Sequence, residues 1–541
     1  MGVKSTINIG VVRIRDILKL IELSVIDREI VLNLKDNHSS MSQKKNRQAV
    51  VVIHGIGEQR PMSTLRDFVN SLLSYERRDE EGEQPTRDWI KPDRISESYE
   101  LRKITAKAED GIRSTTHFYE YHWAGNMRDT KAKHVASWLG SLMKRNLAKA
   151  PDTLWYLKYF CWLVLGLYIA YPFRVSICHL FLSSESFMSD HSLRWVLLLV
   201  SPFILAQWVF PKIFVGYLGD AARYMRNATD NLAQRETIRR NGVQFLKGLH
   251  KDGDYDRIII VGHSLGSVIA YDLLTYLWID FNKSVKVTVG NKRKVEVNKR
   301  WLGSLSYAVQ RVLALDKLSD AAIKLSDKFD SLFGDYIKRN IPVQRITRLK
   351  EFQNYRNAQL DFFDELYSYD FSEKQNKGWL ISDLITLGSP LTHGDILMAD
   401  TDKEFEKMIK ERQYPSCPPV KDYPWHKKEE DIEPKDYFIY GNIKNQQYLN
   451  HGTPFFPTRW TNLYFKGDFI GGPVSPQFGP GVRDKQVVHN PKSKWKWLHK
   501  ISPLAHNHYW ASDCTSDNIK EKKEYLAIKC LYDAMRLDDL S

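Results

Sequence analysis

The chain has 541 residues, enough for one large domain or two to three ordinary ones, and its 43% hydrophobic content indicates a chain that folds around a core. Its formal net charge of +14 suits nucleic acid or an anionic membrane surface, but no zinc-finger spacing or RNA-recognition signature accompanies it, so nucleic-acid binding is set aside. The five cysteines (Cys161, Cys178, Cys417, Cys514 and Cys530) are odd in number and unpaired in spacing, which fits a reducing compartment better than a disulfide framework.

Residues 1–48 read as an N-terminal extension, and "MGVKSTINIG" lacks the apolar core of a signal peptide. "AVVVIHGIGEQ" predicts a buried strand over Ala49–Ile53 followed by a glycine-containing turn, and "FYEYHW" (118–123) predicts a second strand. Residues 49–150 are therefore expected to form the first part of an α/β domain.

Two apolar runs then interrupt the chain. "TLWYLKYFCWLVLGLYIAYPF" (153–173) carries one charge, Lys158, and "WVLLLVSPFILAQWVFP" (195–211) carries none. Each is close to the ~20 residues needed to cross a ~30 Å hydrocarbon layer, with Trp and Tyr near the ends. The expectation is a membrane hairpin within 151–217, with helices about 153–173 and 195–215; the short second run and Pro202 leave a re-entrant hairpin open. Lys131, Lys133, Lys144, Arg145 and Lys149 precede it, and Lys212, Arg223, Arg226, Arg235, Arg239 and Arg240 follow it. By the positive-inside rule both flanks, and the catalytic domain with them, face the cytoplasm and its anionic leaflet.

Residues 218–541 complete the domain. A charged helical stretch (220–249) leads to the strand Arg257–Val261 and an apolar helix. Residues 281–377 are expected as helices covering one side, and 399–459, polar and rich in Pro and aromatics, as a long irregular lid. "WLISDLITLGSPL" predicts a strand at 383–388, "WTNLYFKGD" another with a tight end, and "KQVVHN" a short last one before the amphipathic helix "DNIKEKKEYLAIKCLYDAM". Strands alternating with helices predict an α/β fold with a mostly parallel sheet covered on both faces.

The chemistry centres on "GHSLG" (262–266), placed where a β-branched strand meets a helix. A serine in such an elbow needs small residues around it so that strand and helix approach closely; Gly262 and Gly266 supply them, with His263 beside Ser264. Ser264 becomes a nucleophile only with a base and an acid that orients the base. On this kind of sheet the order is Ser, then Asp or Glu, then His, and Asp468 follows the strand "TNLYF". "AHNHYW" then offers His506 or His508, with His489 and His499 as further options. Backbone amides near Gly55 and Ile56 in "HGIG", with that of Leu265, are candidates for an oxyanion hole. Gly388-Ser389-Pro390 reads as packing at the same crevice, and His393 and Asp395 fit the triad order poorly. No metal-ligand cluster and no cofactor motif stands out.

These blocks resemble, in order, the intracellular phospholipase A1 enzymes with a DDHD domain, and more widely bacterial membrane-associated serine hydrolases and glycosylphosphatidylinositol inositol-deacylase-like lipases. "VVVIHGIGEQ", "IIIVGHSLGSVIAYDLL", "LITLGSPL", "NLYFKGD" and "HNHYW" carry the resemblance. It implies the α/β-hydrolase fold, a Ser264–Asp468–His506 triad through His-x-x-Tyr-Trp, and serine esterase activity on lipid esters. The chain departs from the DDHD pattern in its apolar hairpin and in lacking an Asp-Tyr-[apolar]-Leu segment ahead of the histidine. Two other functions fit the same residues: a thioesterase or acyltransferase acting on an acylated protein or carrier, and a non-catalytic membrane scaffold.

Overall fold

The computed structural model describes residues 47–55, 60–76, 89–96, 98, 100–109, 112–126, 232–252, 254–283, 350–368, 378–420, 439–443, 446–468, 470–488, 505–510 and 526–538, with a few further helical positions in 159–332. An eight-stranded sheet organises them. Its strands are β1 (Arg47–Ile53), β2 (Trp89–Pro92), β3 (Arg102–Ala106), β4 (Thr115–Tyr121), β5 (Arg257–His263), β6 (Ile381–Leu387), β9 (Arg459–Phe465) and β10 (Arg483–Val487), in the order β10-β9-β6-β5-β1-β4-β3-β2. The pairs from β10 across to β4 are parallel, and β3 and β2 close one edge antiparallel. The chain belongs to the α/β class expected from its alternation of strands and helices.

The central strands are apolar at nearly every position because both faces are covered. In β1 the side chains divide by turns: Ala49, Val51 and Ile53 join one buried cluster, and Val50 and Val52 the other. The first cluster packs under α2 (Leu232–Asp252), α3 (Leu265–Lys283) and α4 (Lys350–Ser368), through Leu246, Val268 and Phe362 among others. The second packs under α1 (Ser63–Glu76) and α6 (Ala527–Met535), through Leu65, Phe68, Ile528 and Leu531. Burying each such side chain contributes roughly 1.5–3 kcal/mol before chain entropy is counted.

Several expectations shift. The strand expected at 118–123 is β4 at Thr115–Tyr121, and the last strand begins at Arg483 rather than at Lys485. The segment 399–459 is not wholly irregular: it holds α5 (Asp402–Lys410), capped by the Thr401 hydroxyl, which accepts the Glu404 amide at 3.1 Å, and a hairpin of β7 (Ile439–Ile443) and β8 (Gln446–Leu449). The membrane hairpin lies outside the described residues except for Tyr159, Trp162 and Gly166, which are helical and exposed. Among the described residues no helix is long and apolar enough to cross a membrane.

The strand order fixes where a ligand site belongs. From β1 the chain pairs β4 on one side; β5, β6, β9 and β10 build out on the other. Neighbouring connections thus part company at β1 and β5, and in sheets of this kind ligands bind at the carboxyl ends of the strands beside such a switch point. One row of residues marks that edge: Ile53 opposite Gly262, Gly262 opposite Thr386, Thr386 opposite Asn462, and Asn462 opposite Asp484.

Candidate active site

Ser264 sits immediately past the edge of β5 and begins the turn into α3 with a left-handed backbone, φ 54°. That conformation costs a non-glycine residue of order 1–3 kcal/mol, so the surroundings must impose it. The Ser264 amide donates to the Leu387 carbonyl at 2.9 Å, and Ser267 Oγ donates to the Ser264 carbonyl at 2.6 Å. The flanking glycines are required by space. A Cβ on Gly266 would lie 2.2 Å from the Ile53 carbonyl oxygen, and one on Gly262 would lie 2.5 Å from the Ser267 Cα. The first turn of α3 is therefore pressed onto the end of β1, with Leu265 heading the helix beside Ser264.

Gly55 meets this turn from the other side. A Cβ there would come within 2.8 Å of the Ser264 Cβ, so only glycine lets the β1 turn lie against the serine. His54 holds that turn: its Nδ1–H donates to the Gly55 carbonyl at 2.8 Å, its ring stacks on Trp123, and Trp123 Nε1–H donates to the His54 carbonyl at 2.9 Å. Burial pulls the His54 imidazole down to about 4, which keeps it neutral. Gly55 and Leu265 thus stand on either side of Ser264, while Ile56 lies outside the described residues.

Asp468 and His506 come together. His506 Nδ1–H donates to Asp468 Oδ2 at 2.7 Å, and both side chains are buried. Tyr509 Oη–H donates to the same oxygen at 2.8 Å, and the Ile470 amide donates to Oδ1 at 2.9 Å. Burial alone would raise the Asp468 carboxyl. The His506 imidazole, the hydrogen bonds from His506 and Tyr509 and the Gly471 amide outweigh it and hold the group below the usual carboxylate range. The Nε2 of His506 is buried and makes no hydrogen bond, which leaves that nitrogen available for a proton.

Gly388 and His263 link the pair to the turn that carries Ser264. Gly388 has φ +56°, and a Cβ on it would lie 2.9 Å from both Asp468 Oδ2 and His506 Cε1. Gly388 directly follows Leu387, whose carbonyl holds the Ser264 amide. His263, next to the serine, donates Nε2–H to the His506 carbonyl at 2.8 Å, with the two rings 4.9 Å apart. Burial, then the His506 charge, pulls His263 down to about 3, so it serves as a neutral donor.

The loop carrying Asp468 is itself tied down. Asn462 Nδ2–H donates to the Gly472 carbonyl at 2.9 Å and to Asp484 Oδ1 at 2.7 Å, and Asp484 accepts the amides of Val474 and Ser475 at 2.9 Å each. The His-x-x-Tyr-Trp block acts as one piece: His506 contacts the acid, Tyr509 clamps it, and Trp510 packs edge-on to His263 at 4.9 Å.

Of the other residues singled out, His508 is half-exposed, its amide donates to the Ala505 carbonyl, and the partner of Asp468 is His506. His489 and His499 lie outside the described residues. His393 closes the short turn Pro390–His393 after Gly388. Ser389 has a packing role: its Oγ–H donates to Ser267 Oγ at 2.6 Å, since the Ser267 proton goes to the Ser264 carbonyl. The functional residues missing from the sequence reading are His54, His263 as a donor, and Tyr509. For Tyr509 a signal was present in its fixed spacing from His506. Among the described residues no group of His, Cys, Asp or Glu is arranged to hold a metal ion. Comparison of the chain with known protein families, with curated proteins and with solved structures finds no match.

Proposed function

We propose that this chain is a serine ester hydrolase of the α/β-hydrolase kind, with Ser264 as nucleophile, His506 as general base and Asp468 as the orienting acid. One observation carries the reading: a buried Asp468–His506 hydrogen bond of 2.7 Å leaves His506 Nε2 without a partner, and His263, the neighbour of Ser264 in the chain, is hydrogen-bonded to the His506 carbonyl at 2.8 Å. Ser264 Oγ attacks the ester carbonyl carbon and passes its proton to His506 Nε2. Negative charge on the carbonyl oxygen is met by backbone amides at Leu265 and in the 55–56 turn. His506 returns the proton to the leaving alcohol as the C–O bond breaks. Water, activated by the same nitrogen, then splits the acyl-serine to release the acid and restore Ser264.

The substrate class we assign is a lipid ester. Its support is the resemblance to lipases, the insertion of two apolar runs between β4 and α2, and the exposure of Tyr159 (63%) and Trp162 (50%) on the first run. The proposed arrangement anchors the domain by a membrane hairpin, with the crevice facing the cytoplasmic leaflet. Arg239, one of the flanking cations, is spent on Asp272 at 2.6 Å, so attraction to anionic lipid falls to the others. An active-site-directed fluorophosphonate should label the wild-type chain and leave Ser264→Ala unlabelled. Equal labelling of the two would remove Ser264 as nucleophile.

A further inference from the structure

We propose that a cavity between α2 and the antiparallel edge of the sheet binds a phosphate-bearing anion. The cavity has a volume of about 840 Å3. Its walls come from β2, β3, β4, α2 and the residues just before β5, and they carry five cations: Lys91, Arg94, Lys103, Lys247 and Lys251. It is separate from the serine crevice. Tyr119, on its wall, pairs through the sheet with Val51, two positions short of the edge at Ile53, and Tyr255 precedes β5 altogether.

The geometry is that of a held concavity rather than of loose surface lysines. Gly248 of α2 lets the 93–96 turn pack close, since a Cβ there would lie 2.8 Å from Ile95 Cγ2. Asp93 Oδ1 fixes that turn by accepting the amides of Ile95 and Ser96 at 2.8 and 3.2 Å. On the sheet side, the Tyr119 and Tyr255 hydroxyls are 2.6 Å apart, and Tyr255 is 2.6 Å from His117 Nδ1. A hydrogen-bonded chain of two buried tyrosines and a histidine thus fixes the sheet side of the cavity.

Among the described residues, two acids are seen to answer part of this charge. Asp280 pairs with Lys247 at 2.7 Å, and Asp93 is the carboxylate that acts on Lys103. Mutual repulsion remains. Burial and then the charges of Lys91, Arg47 and Arg94, against Asp93, bring the half-buried Lys103 ammonium below its ordinary value. Burial followed by Lys103, Arg47 and Lys91 pulls His117 to about 4. Cations so placed raise one another's energy until an anion enters. A single carboxylate would leave most of them uncompensated. A phosphate group brings up to two charges and several acceptor oxygens, and lysines bind it as point charges.

Lysine acylation by an amine-reactive reagent, read residue by residue with mass spectrometry, tests this on the full chain. Pyrophosphate, or phosphatidylcholine vesicles containing phosphatidate, should slow acylation of Lys91, Lys103 and Lys251 several-fold, and leave the exposed Lys403 and Lys410 of α5 unchanged. Protection by pyrophosphate assigns a soluble phosphate. Protection by phosphatidate vesicles alone, absent with pure phosphatidylcholine, assigns a lipid headgroup. Protection by neither, or equal protection of Lys403 and Lys410, overturns the proposal. Lys91 and Lys251 are exposed, so replacing both by glutamine removes charge without touching the core. Lys103 should lose its protection in that double variant; if it stays protected, the cavity is not the site.

Discussion

At the scale of single residues, the turn that presents Ser264, the proposed nucleophile, depends on the two glycines that flank it. "GHSLG" is a local signal, because the elbow needs Gly262 and Gly266 within a few residues of Ser264. The choice between His506 and His508 depends on a carboxylate 38 residues away along the chain, and only folding brings Asp468 to Nδ1 of His506. Tyr509 sharpens that choice. It is fully buried, donates to Asp468 at 2.8 Å and accepts the Phe465 amide at 3.2 Å, so it joins the histidine loop to the end of β9. A hydrogen bond to a charged group contributes ~1.5–3 kcal/mol, so losing it should slow acylation roughly ten- to hundredfold. Tyr509→Phe keeps the ring and removes that donor. The expected result is a fall in kcat and in the fluorophosphonate labelling rate, with KM little changed and the melting curve retained. Wild-type labelling kinetics in Tyr509→Phe would show that the clamp does not position the acid.

At the scale of elements, the strands that read clearly are those whose apolar runs are buried on both faces: β1, β5 and β6. β2 and β3 escaped because "WIKP" and "RKITA" are short, charged edge strands, and an edge does not demand a continuous apolar run. The hairpin β7–β8 was hidden in a polar stretch for the same reason. The ends of the central strands opposite the crevice hold a different device. Asp383 of β6 accepts Arg257 Nη2 at 3.0 Å and Arg459 Nε and Nη2 at 2.8 and 2.6 Å, all nearly fully buried. Arg257 also donates to the Met535 and Arg536 carbonyls, which moors α6 to the sheet. Burial would raise the Asp383 carboxyl, but Arg459 and Arg257 hold it far below the usual range. Because the folded-state value is depressed, the stability it contributes is complete above the ordinary 3.8 and drains away as pH falls below it. Asp383→Asn leaves two arginines uncompensated and should cost about 3–5 kcal/mol at neutral pH. Urea unfolding at neutral and acidic pH checks both points: the gap between wild type and variant should narrow on acidification. A gap independent of pH would mean that the carboxylate's charge is not what holds the strands.

At the scale of the whole molecule, the sheet separates its tasks by end. Reactive groups gather at the carboxyl ends of β1, β5, β6 and β9, while the Arg257–Asp383–Arg459 cluster ties the opposite ends to α6. The two apolar runs enter the chain after β4 and leave it before α2, the two elements that pack directly through Tyr121 and Phe245. Tyr121 Oη also donates to the Ile238 carbonyl of α2, so β4 and α2 are joined directly. An insertion that carries a single charge over 153–173 and none over 195–211, and is flanked by cations on both sides, has the sequence pattern of the membrane hairpin proposed above, with both ends on one face. That reading fixes a topology. A cysteine tag near residue 185, in the connection, should react with a membrane-impermeant thiol reagent from the side opposite to one near residue 515, close to the candidate base. Reaction of both tags from the same side would mean that the hairpin does not span the bilayer.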